Sequence, residues 1–336
     1  MASKDDHRDT RVHWVRSNGF VLGLGVAVAA GFLLPGPGAR GGAFHAEVVN
    51  NAGVALILFL QGLSLAFEKI RSGAANWRLH LVCQGFTFGV FPLLGLLLHA
   101  LQPFYWPGEP AAVGNGFLYL CVLPSTISTS VVLTAAARGN TAGALFNAAL
   151  SNIAGVILTP FLVHLLMRST GQAQPFGPLL VEITLLTLVP FAFGMVLRRW
   201  VREQVDAHKP WVNRISNAVV LFIVYCAFCD AVQEKVWSRY GPLLTLQVVA
   251  VVVALFAAVS LLAWAACRGL GLRRDDAVAG YFCSVKKTLA MGVPLASLIF
   301  GARADLSLIL LPIMLYHPLQ LTVNGILANR WARQAA

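Results

Sequence analysis

Apolar runs of about twenty residues recur along this chain, and no connection between them is long enough to separate two soluble domains. Ten such runs cover residues 17–34, 48–67, 80–101, 115–136, 141–167, 177–197, 214–233, 243–266, 276–299 and 304–328. Each has the length that an α-helix needs to cross a hydrocarbon layer about 30 Å thick. Without water to satisfy the backbone, only helices and closed barrels span such a layer, and runs of twenty rather than alternating tens select helices. Only 12% of the residues are charged, about half the share of a soluble domain, so lipid has to cover much of the surface. The expected fold class is an all-α integral membrane protein of ten transmembrane helices.

Gly and Pro punctuate the connections, as in Pro103 to Pro110, Gly171 to Pro178 and Gly241-Pro242. Pro124, Pro160 and Pro294 fall inside runs, where neighbouring helices can satisfy the freed carbonyls. Residues 1–16 mix Lys4, Arg8, Arg11 and Arg16 with Asp5, Asp6 and Asp9, and Pro35-Gly36-Pro37-Gly38 ends the first run. Both features are poor for a cleaved signal, so the run is expected to stay as the first span behind a cytoplasmic tail.

A net charge of +11 invites nucleic acid as a partner, but the basic residues sit in short segments between apolar runs rather than on one face. No nucleic-acid partner is expected. The N-terminus and alternate connections hold 18 basic residues, and the opposite set (Arg40, Arg168, Lys235, Arg239, Arg303) holds 5. By the positive-inside rule both termini are cytoplasmic and the number of spans is even. A multi-pass protein of the inner (plasma) membrane is the expectation. The six cysteines lie in or beside apolar runs, and the Cys226/Cys229 pair lacks a soluble βα context, so packing is their expected role. Neither a disulfide nor a metal is called for. The chain holds no Gly-x-x-x-x-Gly-Lys loop, no His-Glu-x-x-His and no Gly-x-Ser-x-Gly, which argues against an enzyme and against pumping driven by this chain's own nucleotide site.

The fourth and ninth runs are interrupted at matching places. Leu120-Cys121-Val122-Leu123-Pro124-Ser125-Thr126-Ile127-Ser128-Thr129-Ser130 and Tyr281-Phe282-Cys283-Ser284-Val285-Lys286-Lys287-Thr288-Leu289-Ala290 each read apolar, polar, apolar, offset by about 161 residues. Each leads through a Gly-containing turn (Arg138-Gly139-Asn140; Gly301-Ala302-Arg303) into another long run. Five spans per half give the halves opposite topology, and paired broken helices are the sequence mark of a midplane site in an inverted-repeat transporter.

Lys286 and Lys287 lie 12 and 13 residues after Arg274. At about 1.5 Å per residue that is some 18 Å deep, near the middle of the membrane. Ammonium groups there need water, carboxylates, backbone carbonyls or an anionic ligand, and ionisable residues at that depth default to function. Asp230 and Glu182 are the acidic residues available as charge partners. Ser125, Thr126, Ser128, Thr129 and Ser130 are hydroxyls for a lined cavity, or for bonding back to their own helix. Asn147, Ser151 and Asn152 share a helix face, as do His317, Gln320 and Asn324, and Gln61 with Ser64. Interhelical packing explains each of those sets about as well as a site does. Gly85 and Gly89 form a GxxxG packing pattern.

Trp77-Arg78-Leu79-His80-Leu81, Gly116-Phe117-Leu118-Tyr119-Leu120-Cys121-Val122-Leu123-Pro124 and Ser284-Val285-Lys286-Lys287-Thr288-Leu289-Ala290 resemble the bile acid:sodium symporter superfamily. Within it they are similar to the branch of bacterial sodium-dependent transporters related to the seventh member of solute carrier family ten. The resemblance covers about residues 17 to 330, and the Ala137-Arg138-Gly139-Asn140 turn is shared more widely across the superfamily. It implies a single transmembrane unit over 17–330, with a panel (17–67 and 177–233) and a core (80–167 and 243–328), between tails 1–16 and 331–336. It also implies that spans four and nine cross at their breaks and that organic anions move with sodium. The sodium-coupled members carry a glutamate and a glutamine in the ninth-span break, where this chain has Ser284-Val285-Lys286-Lys287. They place hydroxyls four and eight positions after the turn Asn, where this chain has Ala144 and Ala148. Each of the two ammonium groups would repel a cation by about 4 kcal/mol at 4 Å and an effective dielectric of 20, which argues against sodium in the usual geometry.

The expectation is a secondary transporter for a small organic anion, a monomer or homodimer in the bilayer, without a cofactor and with sodium, a proton or no ion coupled to transport. Lys286 or Lys287 neutralises the anion, and Ser125, Thr126, Ser128, Thr129, Ser130, Ser284 and Thr288 give hydrogen bonds. Asn147, Ser151, Gln61, His317 and Gln320 complete the residues for substrate or ion. A receptor or regulator on the same scaffold is the alternative.

Overall fold

A computed structural model describes residues 20, 22–64, 76–108, 110–169, 176–235, 238, 241–300, 303 and 305–334, with backbone alone for 167–169 and 176–184. Among them every regular element is helical. The helices are α1 (Leu22–Leu33), α2 (Ala46–Ser64), α3 (Trp77–Tyr105), α4 (Ala111–Val122), α5 (Ile127–Ala136) and α6 (Thr141–Ser169). They continue as α7 (Phe176–Ala207), α8 (Lys209–Gln233), α9 (Gly241–Gly269), α10 (Arg274–Ser284), α11 (Leu289–Phe300) and α12 (Leu306–Arg333).

Seven stretches are long and apolar enough to cross a membrane: α2, α3, α6, α8, α9, α12 and the α10–α11 pair. An eighth is the α4–α5 pair, bent by 61° at its break. The chain is therefore a multi-pass membrane protein. Exposed Val26, Leu33, Leu93, Phe104, Leu185, Phe193, Leu243 and Leu261 form the apolar surface that lipid covers. The α10–α11 pair is the innermost, since 89% of its most apolar window is buried. A pair so enclosed can carry lysines only if the protein itself satisfies them.

Element edges follow local chemistry. The run expected at 177–197 continues to Ala207 through a kink at Val201, across which Arg198 pairs with Asp206 at 3.0 Å. Asn76 opens α3 by accepting the Leu79 N–H at 3.2 Å, as a helix cap does. Pro124 coincides with a break, whereas Pro160 and Pro294 sit inside continuous helices. A proline removes one intrahelical bond; the helix opens where other groups take over the freed carbonyls, as they do around Pro124.

The GxxxG pattern at Gly85 and Gly89 is not a packing seam, since a side chain added at either would meet nothing within 4 Å. The close helix approach lies elsewhere. Gly62 of α2 faces the Phe191 carbonyl and the Met195 N–H of α7, and Gly194 of α7 faces the Phe59 carbonyl and the Leu63 N–H of α2. Two glycines 132 positions apart leave no sequence signal of their pairing. Around this seam α2, α7 and α8 pack on one another, and α1 lies on α8 with Gly31 against Phe228. The helices α3 to α6, α9, α10 and α12 pack around the two breaks, and α11 lies against α2, α7 and α8.

Candidate functional site

The first break follows from one residue. Pro124 has no N–H and disfavours helical backbone at the position before it, and Leu123 is extended, with φ −68° and ψ 149°. The last carbonyls of α4 therefore lose their intrahelical donors. Thr159 Oγ1 of α6 donates to the Val122 carbonyl at 3.0 Å. Asn152 donates to the Ser125 carbonyl at 2.7 Å, and the Ser125 N–H donates to Ser151 Oγ at 3.0 Å. Gly155 of α6 lies directly against the Pro124 ring, so α6 backs the break closely.

The second break carries no proline. Residues 286–288 are non-helical, and Thr288 starts α11 by accepting the Met291 N–H at 3.4 Å. Its freed backbone groups are held from α12 and from the first break. Tyr316 Oη donates to the Val285 carbonyl at 2.7 Å. Gln320 accepts the Lys287 N–H at 2.9 Å and donates to the Lys287 carbonyl at 2.8 Å, a two-way pairing. The Thr288 N–H donates to the Pro124 carbonyl at 3.0 Å, and Ser125 Oγ to the Cys283 carbonyl at 2.8 Å. The two breaks thus meet, and they fall at the same offset: Val122 to Ser284 and Ile127 to Leu289 are each 162 positions.

The adjacent lysines part ways in this non-helical stretch, each meeting different surroundings. Both are fully buried. Lys287 Nζ donates to the carbonyls of Leu123 at 2.7 Å, Cys121 at 2.9 Å and Thr87 at 3.1 Å, and sits 3.9 Å from the centre of the Phe91 ring. Three N–H donors meet three acceptors. Two acceptors are the freed ends of α4. The third arises in α3, which carries a π turn at Phe86–Val90 where the Phe91 N–H reaches back five residues to Phe86. The next donor in that register is Pro92, which has no N–H, so the Thr87 carbonyl is left for the lysine.

Lys286 Nζ meets no hydrogen-bond partner among the described residues. It lies in electrostatic reach of Cys283 and of His317 on α12. The His317 ring touches Phe20 edge-on at 5.9 Å, and His317 Nδ1 is 3.0 Å from Gln320 Nε2. The Ser284 hydroxyl and both side-chain atoms of Asn324 are likewise buried without a partner among the described residues. The chemistry available is one uncommitted cation and neutral polar groups, in a place with no carboxylate bonded to them.

The other expected residues scatter. Asp230 does not reach the lysines: it accepts the Arg40 N–H at 2.8 Å and pairs with the Arg40 guanidinium at 3.5 Å. The Glu182 side chain lies outside the described residues. Ser125, Thr126, Thr129 and Ser130 do not line an open cavity. Ser125 and Ser130 tie the breaks together, Ser130 Oγ reaching the Phe282 carbonyl at 3.4 Å, while Thr126 and Thr129 bond each other at 2.6 Å. Ser128 is exposed. Asn147 belongs to α3–α6 packing: it donates to the Gly143 carbonyl at 2.9 Å, and Gln84 donates to its backbone carbonyl at 3.0 Å. Gln61 is half-buried on α2, and Ser64 bonds back to the Leu60 carbonyl. Thr87, Phe91 and Tyr316 were not among the expected site residues. Pro92, more than three turns into an apolar run, was the visible signal for the free Thr87 carbonyl.

Residues 18–333 match the model of the SBF-like CPA transporter family. Uncharacterized protein PA2026 of Pseudomonas aeruginosa is 38% identical over 94% of this chain and 93% of its own. The protein named "Putative symporter YfeH" of Escherichia coli is 34% identical over 86% of this chain and 85% of its own. Sodium/bile acid cotransporter 7 of Rattus norvegicus is 31% identical over 93% and 92%.

Proposed function

Because the chain belongs to the SBF-like CPA transporter family, and is a transporter rather than an enzyme, we propose that it carries a small organic anion by alternating access, with Lys286 neutralising the anion beside the crossing. The observation that carries this reading is the Lys286 ammonium, fully buried and without a hydrogen-bond partner among the described residues. An unpaired charge at that depth costs several kcal/mol. An anionic group bound there offsets that cost and is recognised by it. His317, one residue type able to add a hydrogen bond, stands within electrostatic reach.

The reading extends to ten spans in two inverted halves, with both termini cytoplasmic in a bacterial inner membrane. The α1, α2, α7 and α8 group serves as panel and the rest as core. It also supplies a state. The half of the ninth span beyond the crossing, α11, packs on α2, α7 and α8 as well as on α12, whereas α5 packs on α6, α10 and α12 and leaves Ser128, Val132 and Ala135 exposed along one side. Arg40 holds Asp230 on the panel and donates to the Arg303 carbonyl of the core at 3.3 Å. We read that arrangement as a state closed on the Arg40 side and open on the cytoplasmic side.

Counterflow of a radiolabelled sulfated steroid in proteoliposomes tests it. Loss of one charge pair at about 4 Å is worth about 4 kcal/mol at an effective dielectric of 20, so Lys286→Gln raises the half-saturating concentration on the order of a hundredfold or more. Lys286→Arg keeps part of the activity. Wild-type counterflow in Lys286→Gln would remove Lys286 from the site, and saturable binding without counterflow in the native chain would make it a receptor.

A further inference from the structure

We infer that the junction of α3 with the end of α4 is a monovalent-cation site of the primary-ammonium class, filled by the chain's own Lys287. It deepens the transporter reading, since it names what provides positive charge at the crossing, but its geometry stands without it.

The site is built from carbonyls at the end of α4 and at the π turn of α3. The Cys121 and Leu123 carbonyls belong to the last turn of α4 and the extended residue after it, where the helix dipole places partial negative charge. Between them the Val122 carbonyl turns the other way, to Thr159. The Thr87 carbonyl is released by the π turn and by Pro92. The Phe91 ring presents its face at 3.9 Å, as rings do to cations. All three N···O separations, 2.7 to 3.1 Å, are hydrogen-bond lengths. Three acceptors match an ammonium on a carbon stem, which has three N–H groups; a hard metal cation asks for more oxygens. No carboxylate among the described residues bonds the Lys287 amine, so the three carbonyls and the ring are what hold it.

A resident ammonium does what a bound ion would do there. It ties α3, α4 and the α10–α11 connection into one body, and it does so at any ion concentration. Replacing Lys287 with Ala removes three carbons and the nitrogen, the outline of n-propylammonium. The test is the thermal unfolding midpoint of the purified full chain, with n-propylammonium chloride against choline chloride at constant ionic strength. A ligand that binds the folded state alone raises the midpoint saturably. Lys287→Ala is expected to melt below the native chain and to recover at least half of the loss with propylammonium but not with choline. The native chain and Lys287→Met, whose stems fill the same channel, are expected to show no amine-specific rise, and Lys287→Met to melt low throughout.

An equal response of Lys287→Ala to the two salts overturns the inference, as does a Lys287→Met variant that melts with the native chain. If Lys287→Ala is recovered folded only when extracted in propylammonium, the site is supported. If it is recovered in neither salt, the Lys287→Met midpoint alone decides. These readouts contain no transport, so a failure here and a failure of Lys286→Gln to alter counterflow are separate results.

Discussion

Gln320 offers the sharpest test of how the crossing is held. Its amide accepts the Lys287 N–H and donates to the Lys287 carbonyl, at 2.9 and 2.8 Å, in a place with no exposure to water. Gln320→Leu keeps the volume and removes both partners. A buried backbone group left unsatisfied costs about 1–3 kcal/mol, so two cost roughly 2–6 kcal/mol, reduced somewhat by the amide desolvation that Leu avoids. We expect a loss of about 2–4 kcal/mol, measured by reversible unfolding in mixed detergent. Thr322→Ala serves as the control. It sits on the same helix, is exposed, and bonds only back to the Pro318 carbonyl at 2.9 Å; its change is expected within about 0.5 kcal/mol. Tyr316→Phe, which orphans the Val285 carbonyl, should fall between them. If Gln320→Leu unfolds with the native chain, the α12 side chains do not hold the break, and the paired hydrogen bonds are incidental to its shape.

Two further outcomes are expected. Gly194→Leu should prevent α7 from seating on α2, since even a Cβ there meets the Phe59 carbonyl and Leu63 N–H; loss of monodisperse protein on size-exclusion chromatography is the readout, and a well-behaved variant would refute the close seam. Ser128→Cys should react with a membrane-impermeant maleimide added from the cytoplasmic side, whereas Ser130→Cys should not, because Ser128 is exposed and Ser130 buried. The six native cysteines are all buried and so give little background; equal labelling of both variants would contradict the open side assigned to α5.

The amino-acid sequence by itself determined the helical class, the positions of the two interruptions and the presence of two lysines at mid-membrane depth. Those are local properties: apolar length, a proline, a count of residues from Arg274. It also carried the family, through contiguous stretches around both breaks. It did not tell the lysines apart, because nothing in Ser284-Val285-Lys286-Lys287-Thr288 distinguishes two adjacent ammonium groups. That was decided by backbone carbonyls, which every residue has and which become acceptors only where a helix is opened. The acceptors for Lys287 come from Thr87, Cys121 and Leu123, more than 160 positions away, and their availability depends on a π turn and a break on two different helices. The hydroxyls after Pro124 divide for the same reason: the assembled crossing engages Ser125 and Ser130 on the carbonyls of Cys283 and Phe282, while Ser128 stays exposed. Only the tertiary structure could assign each partner, since hydrogen bonding is exclusive and leaves over what its neighbours have not already taken, here the ammonium of Lys286.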